Sequence, residues 1–260
     1  MNPQKEEELQ AAASSGDLDQ LKHLVQATEP LSDGIVQTLL SKAAWKSQLP
    51  IIAFLLGHFP SVPLEEETVR AAIYSRSIPL FKTLLARDPS IITMQFDMRG
   101  TPLTVACLSK QSAEFLRMML EAGADQNQDP DTTAYPLALV ARFYDDPGVL
   151  DLLLEHGAKL EKSGALGGAT VRGNEVMLRH LLQRGAKPAT DITERKYDVS
   201  ALHCAASRGR VNIARILLEH GASASEVDFK GRTALAVAEE KEQKGEDRAE
   251  IIELLKGYEK

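Results

Sequence analysis

Apolar pairs close a series of short amphipathic runs along this chain, and three of them end in the same way. Leu153-Leu154-Glu155-His156-Gly157-Ala158, Leu181-Leu182-Gln183-Arg184-Gly185-Ala186 and Leu217-Leu218-Glu219-His220-Gly221-Ala222 share the form Leu-Leu-x-x-Gly-Ala, and Met119 to Ala124 is close to it. The last apolar residue of each run, Val25, Leu56, Leu85, Leu120, Leu154, Leu182, Leu218 and Leu255, recurs at a period of roughly 33 residues. Such a period marks stacked supersecondary units, each too small to bury its apolar face alone. Within one unit, Ser200 to Gly209 predicts a short helix with small residues on its packed side. Val211 to Leu218 predicts a second helix with Ile213, Ile216 and Leu217 on one stripe. A Gly after each helix supplies the left-handed conformation that stops it. The pattern therefore predicts about eight helix-turn-helix units.

The elements Gly100-Thr101-Pro102-Leu103, Ala201-Leu202-His203-Cys204-Ala205-Ala206 and Asp228 to Leu235, with the Leu-Leu-x-x-Gly-Ala endings, resemble the ankyrin-repeat family. The resemblance implies an all-α solenoid with short β-hairpin fingers, read as a single domain over 1–260. Its weak N-terminal repeats lie at 5–90, its well-matched repeats at 96–238 and a C-terminal cap at 239–260. The two shortest intervals, Leu56 to Leu85 and Leu154 to Leu182, leave no room for a finger before the third and sixth units. Full fingers are expected near Asp97 to Gly100, Pro130 to Tyr135 and Ile192 to Val199, with a gap around Ser163 to Gly168. The charged run Glu239 to Arg248 reads as a solvated extension between the two helices of the last unit.

Composition narrows the function. The 260 residues are 43% hydrophobic but only 5% aromatic, as an Ala- and Leu-rich helical stack requires. A net charge of -7 argues against nonspecific nucleic-acid binding, which needs phosphate neutralisation. No apolar stretch is long enough to span a membrane. Cys107 and Cys204 read as small packed residues in reduced form, consistent with a protein of the cytoplasm or the nucleus. No catalytic, metal or cofactor motif is present. Gly168 to Gly173 starts like a phosphate loop but has Asn174 where the Lys is needed. The resemblance makes His203 a structural hydrogen-bonding residue. It also matches Asn127 to a hairpin asparagine that is structural in most ankyrin proteins and a hydroxylation target in some.

In the ankyrin family the concave face is lined by finger tips and by the ends of first helices. Carried onto this chain, those positions nominate Trp45, Lys46, Tyr74, Lys110, Arg142, Phe143, Tyr144, Arg172, Tyr197 and Arg208 as binding residues. Lys110, Arg142, Arg172 and Arg208 read as a basic ladder, and Arg with aromatics is the usual material of binding hot spots. At most two of Arg142, Phe143 and Tyr144 can face a groove, since the turn there is expanded by one residue. The Gly-rich stretch Ser163 to Ala169 permits either close helix packing or a local cavity. The expected function is a non-enzymatic module, monomeric, that binds an acidic or extended segment of another protein. The alternative is a small-molecule binder or unconventional enzyme with an anionic substrate between Tyr74 and Arg172.

Overall fold

The computed structural model describes residues 2–28, 30–128, 134–191 and 199–258. Its sixteen α-helices among the described residues pair into the eight units that the periodicity predicts. The chain forms two compact units, Met1–Asp125 and Gln126–Lys260, each described by itself. The first holds α1 (Pro3–Ser15) with α2 (Leu18–Gln26), α3 (Asp33–Trp45) with α4 (Leu49–His58), α5 (Glu66–Tyr74) with α6 (Ile78–Arg87), and α7 (Pro102–Leu108) with α8 (Ala113–Glu121). The second holds α9 (Pro136–Phe143) with α10 (Pro147–Glu155), α11 (Ala165–Arg172) with α12 (Glu175–Gln183), α13 (Ala201–Arg208) with α14 (Val211–Glu219), and α15 (Ala234–Gln243) with α16 (Ala249–Lys256). No helix among the described residues is long and apolar enough to cross a membrane.

Among the described residues, nine helices start at a residue whose side chain satisfies a free N–H group of the first turn. Thr101 accepts from Thr104 N, Ser112 from Phe115 N, Ser200 from His203 N and Thr233 from Ala236 N. Pro occupies the first turn of α4, α6, α7, α9 and α10, where a missing N–H costs nothing. The second helices carry the heavier apolar load. Ile213, Ile216 and Leu217 of α14 are buried as their spacing predicts. Within each unit consecutive first helices pack together: α1 on α3, α3 on α5 and α5 on α7, then α9 on α11, α11 on α13 and α13 on α15.

Hydrogen bonds at the turn between the two helices of a repeat join one repeat to the next. The last carbonyls of a short helix have no partner inside it. Gln48 donates its side-chain amide to Ser14 O at 3.2 Å, and Gln111 donates to Ile73 O at 2.9 Å. In the second unit Asn174 donates to Tyr144 O at 3.4 Å, and Arg248 to Ser207 O at 2.9 Å. These turns also set the register. Gly16, Gly173, Gly209 and Gly245 adopt positive φ after their first helices, and Ser47, Arg76 and Lys110 take the same left-handed conformation in three other repeats.

The expected finger at Asp97 to Gly100 is present: Phe96 and Gly100 form an antiparallel bridge, with Phe96 N donating to Gly100 O at 2.7 Å. A further bridge joins Val227 to Thr233, at the Asp228 to Leu235 element. Among the described residues no bridge precedes α5 or α11, the two places where the intervals are short. The other expected fingers, Pro130 to Tyr135 and Ile192 to Val199, fall largely outside the described residues, as does Tyr197. The run Glu239 to Arg248 differs from expectation, because α15 continues through Gln243 before the chain turns. Its charges favour the extra turn: Glu240 pairs with Lys244 four residues on at 2.6 Å, and Lys241 with Glu246 at 2.9 Å.

The Gly-rich helix α11 is built for contact with α9. A Cβ on Gly168 would lie 2.4 Å from the carbonyl oxygen of Ala138, whereas one on Gly167 would meet nothing within 4 Å. Close packing therefore accounts for Gly168. Neighbouring glycines should respond with opposite signs: Gly168→Ala is expected to destabilise by about 1–3 kcal/mol through overpacking. Gly167→Ala is expected to stabilise by roughly 0.5–1 kcal/mol through helix propensity. Urea unfolding of both variants beside wild type checks this, and equal effects would refute the packing assignment.

Candidate functional site

In the first unit, Trp45 is the last residue of α3 and Tyr74 the last of α5, so packing of α3 on α5 brings the two rings together. Their centroids lie 5.6 Å apart at an interplanar angle of 18°, a stacked pair. The Trp45 indole N–H donates to Glu67 Oε1 at 2.8 Å, and Arg70 pairs with the other oxygen of the same carboxylate. Glu67, Arg70 and Tyr74 follow each other at helical spacing along one face of α5. Sequence reading did not single out Glu67 or Arg70. Their i, i+3, i+7 relation to Tyr74 is visible in the sequence, but the reach of Trp45 from another repeat is not. Lys46 caps α3, and both Lys46 and Lys110 are exposed without an ion pair among the described residues.

The basic ladder does not share one register. Counted from the left-handed turn residue, Arg172 and Arg208 are equivalent, each one residue before Gly173 or Gly209. Lys110 is itself the turn residue, with φ 54°, and so lies one position later. Counted from the helix start, Phe143 occupies the place of Arg172 and Arg208, which leaves Arg142 one position earlier. Arg142 therefore aligns with Val171 and Ser207, while the extra residue of this turn comes after Phe143. Tyr144 is in extended conformation and only 8% exposed, so it fills the step after α9 instead of facing solvent. The Arg142 guanidinium lies over the Phe143 ring at 5.1 Å from its centroid. Arg172 approaches Asp145 at 3.9 Å while half exposed, a weak pairing that leaves its guanidinium accessible. Arg208 is exposed at the end of α13 without an ion pair among the described residues.

Several polar groups hold the second unit together, and sequence reading missed Asp151 and Arg184 among them. Asp151 of α10 accepts from His180 Nε2 at 2.8 Å and pairs with Arg184 at 2.6 Å, both on or just after α12. Burial raises the Asp151 carboxyl, but these two partners outweigh it and leave it below its ordinary value. Asp228 sits beneath the last hairpin, accepting from Lys230 N at 2.8 Å, Arg232 N at 3.0 Å and the Arg232 guanidinium at 2.7 Å. Burial pushes Asp228 up, while Arg232 and the two backbone N–H groups bring it down to about 2. His203 has the structural role the resemblance implies, with Nδ1 against Ser200 Oγ at 2.7 Å and Nε2 against Arg232 O at 2.9 Å. The Asn127 amide is likewise engaged, donating to Gly157 O and accepting from Lys159 N, both at 2.9 Å.

Helix α11, which carries Arg172, lacks a cap of its own. Gly164 stands at the cap position in a left-handed conformation and offers no side-chain acceptor. Asp191, from the loop after α12, replaces it: its oxygens accept from Ser163 Oγ at 2.8 Å, Ala165 N at 3.1 Å and Leu166 N at 2.7 Å. Lys162 N to Thr190 O at 2.7 Å adds a backbone link. Spacing alone could not reveal this, because the capping residue is supplied from the far side of α12.

The described cavities are shallow or small. One of about 200 Å³ is lined by Gln126, Asn127, Tyr135, Lys159, Lys162 and Ser163, below the usual range for a small-molecule site. An open recess of about 490 Å³ includes Asp145, Arg172 and Asn174. Tyr74 and Arg172, between which the alternative reading puts an anionic substrate, belong to different compact units. Among the described residues no three His, Cys, Asp or Glu side chains cluster as metal ligands would. Cys107 is a buried thiol whose ionisation burial pushes up, and Cys204 is half-buried.

Residues 166–260 match the family model described as ankyrin repeats in three copies. The ankyrin repeat protein nuc-2 of Neurospora crassa is 31% identical over 169 residues, a span of 63% of this chain and 15% of that protein. This chain therefore corresponds to a small part of the length of that relative. The solved ankyrin repeat domain of Bcl-3, described as a unique member of the IkappaB protein family, matches 84% of this chain and 97% of its own with a TM-score of 0.60. At 22% identity that likeness is one of fold.

The Asp191 cap has a pH signature. Burial raises its carboxyl from 3.8 to about 6, against the hydrogen bonds from Ser163 and the backbone that favour the anion. The folded state thus binds the proton more tightly than the unfolded chain. The stabilising contribution of this group is full below about pH 4 and is lost as pH rises through about 6. The unfolding free energy of wild type minus that of Asp191→Asn is expected to fall between those pH values. A difference that rises instead would contradict the assignment.

Proposed function

We propose, since the chain is an ankyrin-repeat protein, that it acts as a non-enzymatic module holding a segment of another protein against the ends of its first helices. Ankyrin repeats are generally protein-protein interaction modules, and the fold by itself names no partner. The observation that carries the finer reading is the exposure of Arg172 and Arg208 at equivalent positions of adjacent repeats, beside Arg142 stacked on Phe143. Guanidinium groups so placed suit bidentate contacts with carboxylates of an acidic segment, and an aromatic neighbour adds cation-π attraction. A free, mainly solvent-facing cation contributes little to folding, so its role is better sought in recognition.

The cavities give the small-molecule alternative little support. The Gly-rich stretch is committed to packing at Gly168, and the cleft beside Ser163 is small. Affinity purification with wild type and an Arg142→Glu, Arg172→Glu, Arg208→Glu variant, matched in circular dichroism, tests the reading. The partner is expected to be lost from the variant, with at least about a tenfold fall in affinity. Binding of the wild type should weaken as salt is raised. Retention of the same proteins by both samples, with no salt dependence, would sink the acidic-partner reading.

A further inference from the structure

The first unit exposes three large apolar side chains at one repeat position. Trp45, Tyr74 and Leu108 each stand two residues before the left-handed turn residues Ser47, Arg76 and Lys110 of successive repeats. They are 43%, 39% and 37% exposed. Two observations make them neighbours and not scattered surface residues. The Trp45 and Tyr74 rings stack, and the ends of α5 and α7 are tied by Gln111 to Ile73 O and by Arg76 to Ser109 O at 3.4 Å. The same position is Ser14 in the repeat before them, so within the first unit the apolar character is confined to three repeats.

Cations flank the stripe on its turn side: Lys46 beside Trp45, Arg76 beyond Tyr74 and Lys110 beyond Leu108. The acids nearest the rings are already occupied. Glu67 accepts from Trp45 and Arg70, and Glu66 accepts from Asp97 N at 3.0 Å and lies near Arg70. Burying an apolar ridge rimmed by the Lys46 and Lys110 ammonium groups and the Arg76 guanidinium is favourable when the incoming segment brings both apolar anchors and carboxylates. A rigid stacked Trp-Tyr pair loses little conformational freedom on binding and is the residue class that dominates interface energetics.

We propose that the Trp45-Tyr74-Leu108 stripe is the docking surface for an acidic segment of a partner protein that carries aliphatic or aromatic anchor residues. This rests on the protein-binding reading above and adds to the arginines of the second unit a separate contact surface on the first. Trp45 is the only tryptophan in the chain, so its emission reports on the stripe directly. Random peptides displayed on phage are selected on the full chain, and the enriched peptides are synthesised and titrated while Trp45 fluorescence is followed. Enriched sequences are expected to combine Asp or Glu with Leu, Phe or Trp, and to shift Trp45 emission. Their affinity should fall at least about tenfold in Tyr74→Ser,Leu108→Ser and in Lys46→Glu,Lys110→Glu, with unchanged circular dichroism. Phe229→Ser, at the exposed hairpin of the second unit, serves as a control that retains binding.

Peptides that bind without moving Trp45 emission and with equal affinity for the stripe variants would overturn the docking surface while leaving the protein-binding reading intact. Failure to enrich any sequence would count against both. Concentration-dependent self-association abolished by Tyr74→Ser would identify a second copy of the chain as the occupant and would also overturn the proposal.

Discussion

Unfinished helix ends govern this protein. A helix of seven to ten residues leaves nearly all its terminal N–H and C=O groups without internal partners, and a single two-helix repeat cannot bury its apolar face. Both deficits are met by neighbouring repeats. Gln48, Gln111, Asn174 and Arg248 each close a carbonyl at the end of the previous first helix, while successive first helices share their small-residue faces. The turn between two helices is thus also the joint between two repeats. Every side chain at that turn therefore has its position set by both.

That coupling explains why candidate binding residues gather at first-helix ends. The turn must hold a left-handed residue, so the one or two positions before it project at a repeated place on each repeat. Where the turn residue is Gly, as at Gly173 and Gly209, the preceding Arg is the exposed group. Where Ser47, Arg76 or Lys110 takes the left-handed conformation, the exposed row shifts to Trp45, Tyr74 and Leu108. One geometric requirement, met by different residues, yields a basic edge in one unit and an apolar, cation-rimmed edge in the other.

The departures from regular repetition also have physical causes. Repeat six has too few preceding residues for a finger and has Gly164 in place of a capping side chain, so the buried Asp191 side chain from its own exit loop caps the start of α11. The extra residue after Phe143 removes the left-handed turn and folds Tyr144 inward, and Arg142 stands one position earlier in its helix than Arg172 and Arg208. In the last repeat, complementary charges lengthen α15 beyond the usual stop.

Much of this architecture was legible in the order of residues. Periodic Leu pairs and the Gly-Ala endings determined the number of repeats and the helix type. The long interval before α7 announced the hairpin at Phe96 to Gly100, because helix periodicity and capping are local properties. Contacts between repeats were not legible in the same way. Nothing within the α3 run shows that Trp45 stacks on Tyr74 and reaches Glu67, and nothing near α11 shows that Asp191 caps it. Nor does a count of basic residues reveal which of Lys110, Arg142, Arg172 and Arg208 share a register. Those relations depend on backbone φ at the turns and on side chains separated by a whole repeat. Only the packed tertiary structure decides them, since only there do the free ends of one helix meet the residues of the next.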